Sequence, residues 1–298
     1  MDTSALQAFI SVARLASFSK AADQLYLTQS AISKRIALLE QQLDCRLFDR
    51  IGRTVSLTEA GQTLLPRAMQ VLVELDDARR ALDNLSGNVT GTLSLATSHH
   101  ISLHRLPPLL QQFTKTYPEV KLDLHFAESE VAYEGVLKGE LELALITLSP
   151  DPDSNIHSEL IWEDQLNYVV SPTHPLSQAT ELQLAELTAY PAILPSSNTF
   201  TRQLVEALFA EHKLKLDVSM STNYLDTIRM MVSIGLGWSL LPESLITPDL
   251  RVLPVHATPV MRPLGAIVHR NRTLSNAANK LLEILRSDNR QVQPISQL

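Results

Sequence analysis

Residues 29 to 35 read Gln-Ser-Ala-Ile-Ser-Lys-Arg. If this stretch is helical, Ile32 and Ile36 share the buried face and Gln29, Ser30, Ser33, Lys34 and Arg35 are left outside. These residue types suit double-stranded DNA. Glutamine pairs bidentately with adenine, serine both donates and accepts, and lysine or arginine reaches guanine or phosphate. Further on, Arg50 and Arg53 flank Gly52, a residue that fits a tight turn. A basic hairpin tip of this kind suits phosphates or the minor groove. A polar face on any small helical bundle would carry similar residues, so the spacing alone leaves both readings open.

Catalytic chemistry finds less support. There is no Gly-x-Ser-x-Gly elbow, no Walker loop and no His-Glu-x-x-His, and the single cysteine, Cys45, lacks a Cys–His context. His99, His100 and His104 form a His-His-x3-His run that resembles a metal site. Adjacent residues point differently, however, and no cysteine or carboxylate cluster lies nearby. No metal and no cofactor is expected; a histidine facing an anion fits better.

The elements that must position these residues follow from periodicity. Leu6, Phe9, Ile10 and Ala13 mark one face of a helix over 4–15. Ser19 is a candidate N-cap for a short helix over 20–25, and Thr28 a candidate N-cap for a third helix over 29–43. Only a few residues join the second helix to the third, which describes a helix–turn–helix. Val55 and Leu57 alternate with polar residues, as in a half-buried hairpin strand. From residue 59 a long pattern of Leu64, Leu65, Ala68, Val71, Leu72, Leu75, Ala78, Leu82 and Leu85 suggests a coiled-coil seam that ends near Gly87. Pro66 should kink it. Such a stripe needs a partner surface, either a second copy or the chain's own body.

The charge looks wrong for a polyanion partner until it is divided. The 298-residue chain carries a net −7. Residues 1–58 hold seven bases and five acids, whereas the rest holds eighteen bases and 27 acids. A slightly basic head thus precedes an acidic body. A lone cysteine excludes an internal disulfide framework. No apolar run approaches the roughly 20 residues of a membrane span, and the start of the chain does not read as a secretory signal. A cytoplasmic protein is expected.

Phe18-Ser19-x-Ala21-Ala22-x2-Leu25, Thr28-Gln29-Ser30-Ala31-Ile32-Ser33, Ile36-x2-Leu39-Glu40 and Leu47-Phe48-x-Arg50-x2-Arg53-x-Val55-x-Leu57-Thr58-x-Ala60-Gly61 occur in that order. Together they resemble the winged helix–turn–helix of LysR-type transcriptional regulators. The resemblance implies that the long helix pairs two subunits. It also implies that the alternating strands and helices from Gly91 onward form a two-lobed α/β effector domain like a periplasmic binding protein. Gly235-x-Gly237-Trp238-x-Leu240-Leu241-Pro242 matches that part of the family. The expected division is a DNA-binding domain over 1–58, a dimerisation helix over 59–87 and an effector domain over 91–298. Within the last, lobe one is 91–162 plus 266–298 and lobe two is 163–265. The β-α-β-α-β order between 93 and 148 points to a parallel sheet with helices on both faces.

Ligands of such folds bind beyond the carboxyl ends of parallel strands. That rule selects Thr97, Ser98, His99 and His100 after the first strand, Ala127, Glu128 and Ser129 after the second, and Thr147 after the third. Lobe two adds Ser196, Ser197, Asn198 and Thr199. Hydroxyls and free amides at helix N-termini favour an anionic ligand, although each of these residues could equally cap its helix. The expected function is transcriptional regulation: a homodimer or homotetramer on promoter DNA with dyad symmetry, responding to a small anionic effector, with no catalysis. The alternative is a small-molecule-binding protein or enzyme whose N-terminal bundle does not bind DNA.

Overall fold

The computed structural model describes residues 2–51 and 54–292. The chain forms two compact units, Met1–Ser86 and Gly87–Leu298.

The first unit contains α1 (Thr3–Leu15), α2 (Phe18–Gln24), α3 (Gln29–Leu43), the hairpin β1 (Phe48–Ile51) and β2 (Thr54–Leu57), and the long α4 (Glu59–Asn84). Side-chain oxygens cap the helices. Asp2 accepts from the Ala5 N–H, Thr28 from Ala31 and Thr58 from Gly61. The second helix corrects an expectation. Its cap is Ser17, which accepts from the Lys20 N–H, and Ser19 lies within the first turn. Starting there puts Phe18 inside the helix, where its ring packs 5.7 Å from Phe48. Both serines could cap, and burial of that aromatic favours the earlier start.

Phe9, Ile32, Ile36, Leu39 and Leu47 are fully buried in the shared core. Glu40 ties α3 to the hairpin by accepting from the N–H groups of Leu47 (2.7 Å) and Phe48 (3.3 Å). Gly61 is required where α4 meets this layer, because a Cβ there would stand 2.2 Å from the Leu47 carbonyl oxygen. The helix continues through Pro66 for 26 residues, about 39 Å. Its stripe serves two purposes. Leu64, Leu65, Ala68, Met69 and Leu72 pack on the head, whereas Val71, Leu75, Leu82 and Leu85 are exposed.

The second unit is built on β3 (Gly91–Thr97), α5 (His99–His104), α6 (Leu106–Thr116), β4 (Val120–Phe126), α7 (Ser129–Leu137), β5 (Leu143–Thr147) and β6 (Ile156–Val170). It continues with β7 (Leu182–Gln183), β8 (Ala192–Leu194), α8 (Phe200–Glu211), β9 (Val218–Ser221), α9 (Leu225–Ser233), β10 (Ser239–Pro242), β11 (Arg251–Val252), β12 (Val255–His256), β13 (Val260–His269) and α10 (Asn276–Val292). Strand β3 pairs in parallel with β4 and β5, as the β-α-β-α-β order implies. The sheet as a whole is mixed, because β13 returns antiparallel to both β5 and β6. Its order is β10-β6-β13-β5-β3-β4, with β11 also on β6.

The sequence pattern suggests a strand over 166–170. The structure shows only the end of a 15-residue strand there. Polar residues interrupt the apolar pattern of β6 where it leaves one core for another. Ile161 and Trp162 belong to the core beneath β3 and β5, whereas Leu166 and Tyr168 belong to the core around Trp238. On β13 the same change falls between Val260 and Leu264. Two antiparallel strands therefore carry the chain between two lobes. The register shifts between Leu264 and Gly265, and a Cβ on Gly265 would lie 2.1 Å from the Glu159 carbonyl oxygen.

Candidate functional site: a reading helix and an inter-lobe cleft

Thr28 starts α3 with its first two turns outward. Gln29, Ser30 and Lys34 are exposed, and Ser33 and Arg35 are half-buried. The Ser30 hydroxyl lies 3.0 Å from that of Thr28. Hydrogen bonds from the Ala5 N–H and the Ser4 hydroxyl hold the Asp2 carboxyl below its ordinary range, and the charge of Arg35 adds to them. Arg50 lies on β1 opposite Val55; Arg53 and Gly52 lie outside the described residues. Sequence reasoning passed over Tyr26, which is 96% exposed in the turn just before α3, at a φ of +54°. Its position between a helix end and an N-cap was the available signal.

In the second unit, the strand ends enclose a cleft of about 170 Å³ between the lobes. Ser98, His99, His100, Glu128, Thr147 and Thr199 line it, as do Ala127 and Ser129. Thr97, Ser196, Ser197 and Asn198 do not. Thr97 is fully buried at the end of β3, and Ser197 and Asn198 face solvent. The Ser196 N–H instead donates to Asn223 Oδ1 at 2.9 Å. Thr199 also caps α8, accepting from the Arg202 N–H.

Asn223, Tyr224, Asp226, Glu130 and Arg262 line the cleft as well, and sequence reasoning missed them. Asn223 and Tyr224 follow β9, so the strand-end rule could have found them. Arg262 had no such signal, since it sits mid-strand on the antiparallel β13.

Two hydrogen bonds cross the cleft. Asn223 Nδ2 donates to Glu128 Oε1, and the Phe200 N–H at the start of α8 donates to Glu130 Oε1, each at 2.6 Å. The His99 ring meets Tyr224 edge-on at 5.4 Å.

The floor is a buried ionic hub where the strands change lobe. Asp164 on β6 is the cross-strand partner of Arg262 on β13. Its Oδ2 accepts from Arg262 at 2.6 Å and lies 3.2 Å from His100 Nε2, while Oδ1 accepts from Arg105 at 2.7 Å. Burial opposes the charge on Asp164, but the His100 hydrogen bond and the Arg262 charge prevail and hold the carboxyl well below its usual range. Burial pushes His100 down from 6.5, against the pull of Asp164, so the ring is neutral at pH 7. Its Nε2–H then faces the carboxylate.

A winged helix–turn–helix joined to a two-lobed α/β unit with a lined cleft is the architecture of a one-component regulator. The pattern of the bacterial regulatory helix-turn-helix protein, lysR family, matches residues 3–62, and that of the LysR substrate binding domain matches residues 86–290. The HTH-type transcriptional activator CmpR of Synechocystis is 31% identical over 284 residues, covering 94% of this chain and 93% of the relative. The chain belongs to the LysR family of transcriptional regulators.

Solved structures agree in fold. A full-length OxyR variant from Pseudomonas aeruginosa superposes with a TM-score of 0.72 at 21% identity, over 100% of this chain and 99% of that one. Full-length CbnR complexed with its target DNA gives 0.65 at 23% identity, over 97% and 100%. No helix among the described residues is long and apolar enough to cross a membrane.

Proposed function

We propose that this regulator acts in the cytoplasm as a homodimer or homotetramer on promoter DNA with dyad symmetry, under the control of a small effector, and that it is not an enzyme. The observation that carries this reading is the open polar end of α3, held by a packed helix–turn–helix and presenting Gln29, Ser30 and Lys34 to solvent. Gln29 is assigned to adenine, Ser30 and Ser33 to base edges, and Lys34 to guanine or phosphate. Arg35, Arg50 and Arg53 are assigned to phosphates or the minor groove. The exposed Val71, Leu75, Leu82 and Leu85 on α4 form the seam that pairs two heads.

The effector binds in the inter-lobe cleft with an anionic group toward Ser98 and Thr147, while the neutral His100 offers its Nδ1 as an acceptor. Glu128 is better assigned to joining the lobes through Asn223. An effector acts only through its preference for one lobe arrangement. Because Arg262 lines the cleft and also holds the opposite crossing strand through Asp164, a ligand touching it bears directly on the hinge.

Genome-wide mapping of bound DNA should return discrete sites with two half-sites, and a featureless profile overturns the proposal. Lys34→Ala should weaken binding similarly across related sequences and lower the salt slope by about one. An unchanged affinity and slope would remove Lys34 from the interface.

A further inference from the structure

With the cleft as the effector site, on which reading this inference rests, its charges say more about the ligand than that it has an anionic end. Arg262 is only 3% exposed. One of its terminal nitrogens donates to Asp164, but Nε has no partner among the described residues. His100, 6% exposed at the same floor, leaves Nδ1 unpartnered among them. Buried polar groups without partners are costly, and a ligand that supplies them regains that cost.

The walls have the opposite sign. Glu128, Glu130 and Asp226 all line the cleft. Glu128 and Glu130 each accept one hydrogen bond, in both cases from an uncharged donor. Asp226, half-buried in the first turn of α9, has no hydrogen-bond or ionic partner among the described residues. Among the described residues no lysine and no second arginine lines the cleft, and Asp164 largely offsets the charge of Arg262. Three carboxylates without cations around so small a volume repel a ligand that is only anionic. A molecule with a carboxylate at one end for Arg262 and an ammonium at the other satisfies the floor arginine and the walls together, and an N–H of the same ligand can reach the His100 Nδ1 acceptor.

We propose that the effector is a small zwitterion of the α-amino acid class. Its carboxylate meets Arg262 and the Ser98 hydroxyl, and its ammonium lies between Asp226 and Glu128. The cleft holds about half a dozen water-sized groups, which suits an amino acid with a short side chain.

The test uses the full-length protein, with thermal melts and calorimetry. The probes are alanine, serine, threonine, valine and leucine, each beside its 2-hydroxy acid and its decarboxylated amine. At least one amino acid should raise the melting temperature, and its two analogues should bind about 10- to 100-fold more weakly. Asp226→Asn should abolish the preference over the hydroxy acid while the protein still melts cooperatively. A hydroxy acid that binds as well as its amino acid overturns the zwitterion and leaves a cleft ligand standing. Absence of any response to the five amino acids also overturns the zwitterion. Binding that survives Ser98→Phe, which fills the cleft and whose own cooperative melt shows it folded, overturns the cleft site itself.

Discussion

Asp164→Asn probes the hub most directly. Asparagine keeps the shape of the side chain but removes the one negative charge shared by Arg262, Arg105 and His100. Breaking a buried ion pair from one side costs about 3–5 kcal/mol, because the surviving charge is left in a poorly solvated site. Both Asp164 and Arg262 are almost fully buried, but the Arg105 side chain is 31% exposed and can turn to water. The lower end, about 3 kcal/mol, therefore applies. For a unit of this size that lowers the melting temperature by about 6–12 °C. The assay is built into the chain: Trp162 and Trp238, its only tryptophans, both lie in the second unit. Tryptophan fluorescence thus follows that unit and not the DNA-binding head. Combining Asp164→Asn with Arg262→Met removes the stranded charge, so the double variant should melt above Asp164→Asn alone. A fall of less than about 2 °C for the single variant, or losses that simply add in the double, would refute the ionic hub.

Three further outcomes come from the same geometry. His100 is neutral in the fold because burial, only partly offset by Asp164, lowers its pKa from 6.5. The unfolded chain therefore gains the proton first, and stability falls as pH drops below about 6.5; His100→Gln should flatten the melting temperature between about pH 7 and 5, though His174, also lowered by burial, keeps some slope. Gly61→Ala drives a Cβ into the Leu47 carbonyl and the Leu57 side chain, at a cost of about 1–3 kcal/mol to the head; gel shifts should show weaker DNA binding while the tryptophan melt stays unchanged. The Tyr168 hydroxyl is buried without a partner among the described residues, and burial raises its pKa to about 12; Tyr168→Phe should leave the melt unchanged or raise it by about 2–4 °C, and a clear fall would show that the hydroxyl is satisfied.

Much of the head is legible in the linear sequence because its signals are local. An N-cap reaches two or three residues, and a helical face repeats every three or four. Thr28, Ile32, Ile36 and Leu39 therefore place α3 within a residue, and the outward set follows by subtraction. The missed Ser17 cap shows the limit. Between two serines two residues apart, the choice was made by Phe18, whose partner Phe48 is thirty residues away.

The cleft divides in the same way. Ser98, His99, Glu128 and Thr147 follow strands that periodicity reveals, so a rule about strand ends reaches them. Arg262 and Asp164 become part of the site only because two distant strands cross between lobes side by side. By itself the sequence determined the family and the placement of α3, since both are written in contiguous residues. Tertiary structure decided which of the strand-end residues face the cleft and which charge joins them there. Pairing of residues 98 positions apart, as in Asp164 and Arg262, depends on register and burial, and no local pattern encodes either.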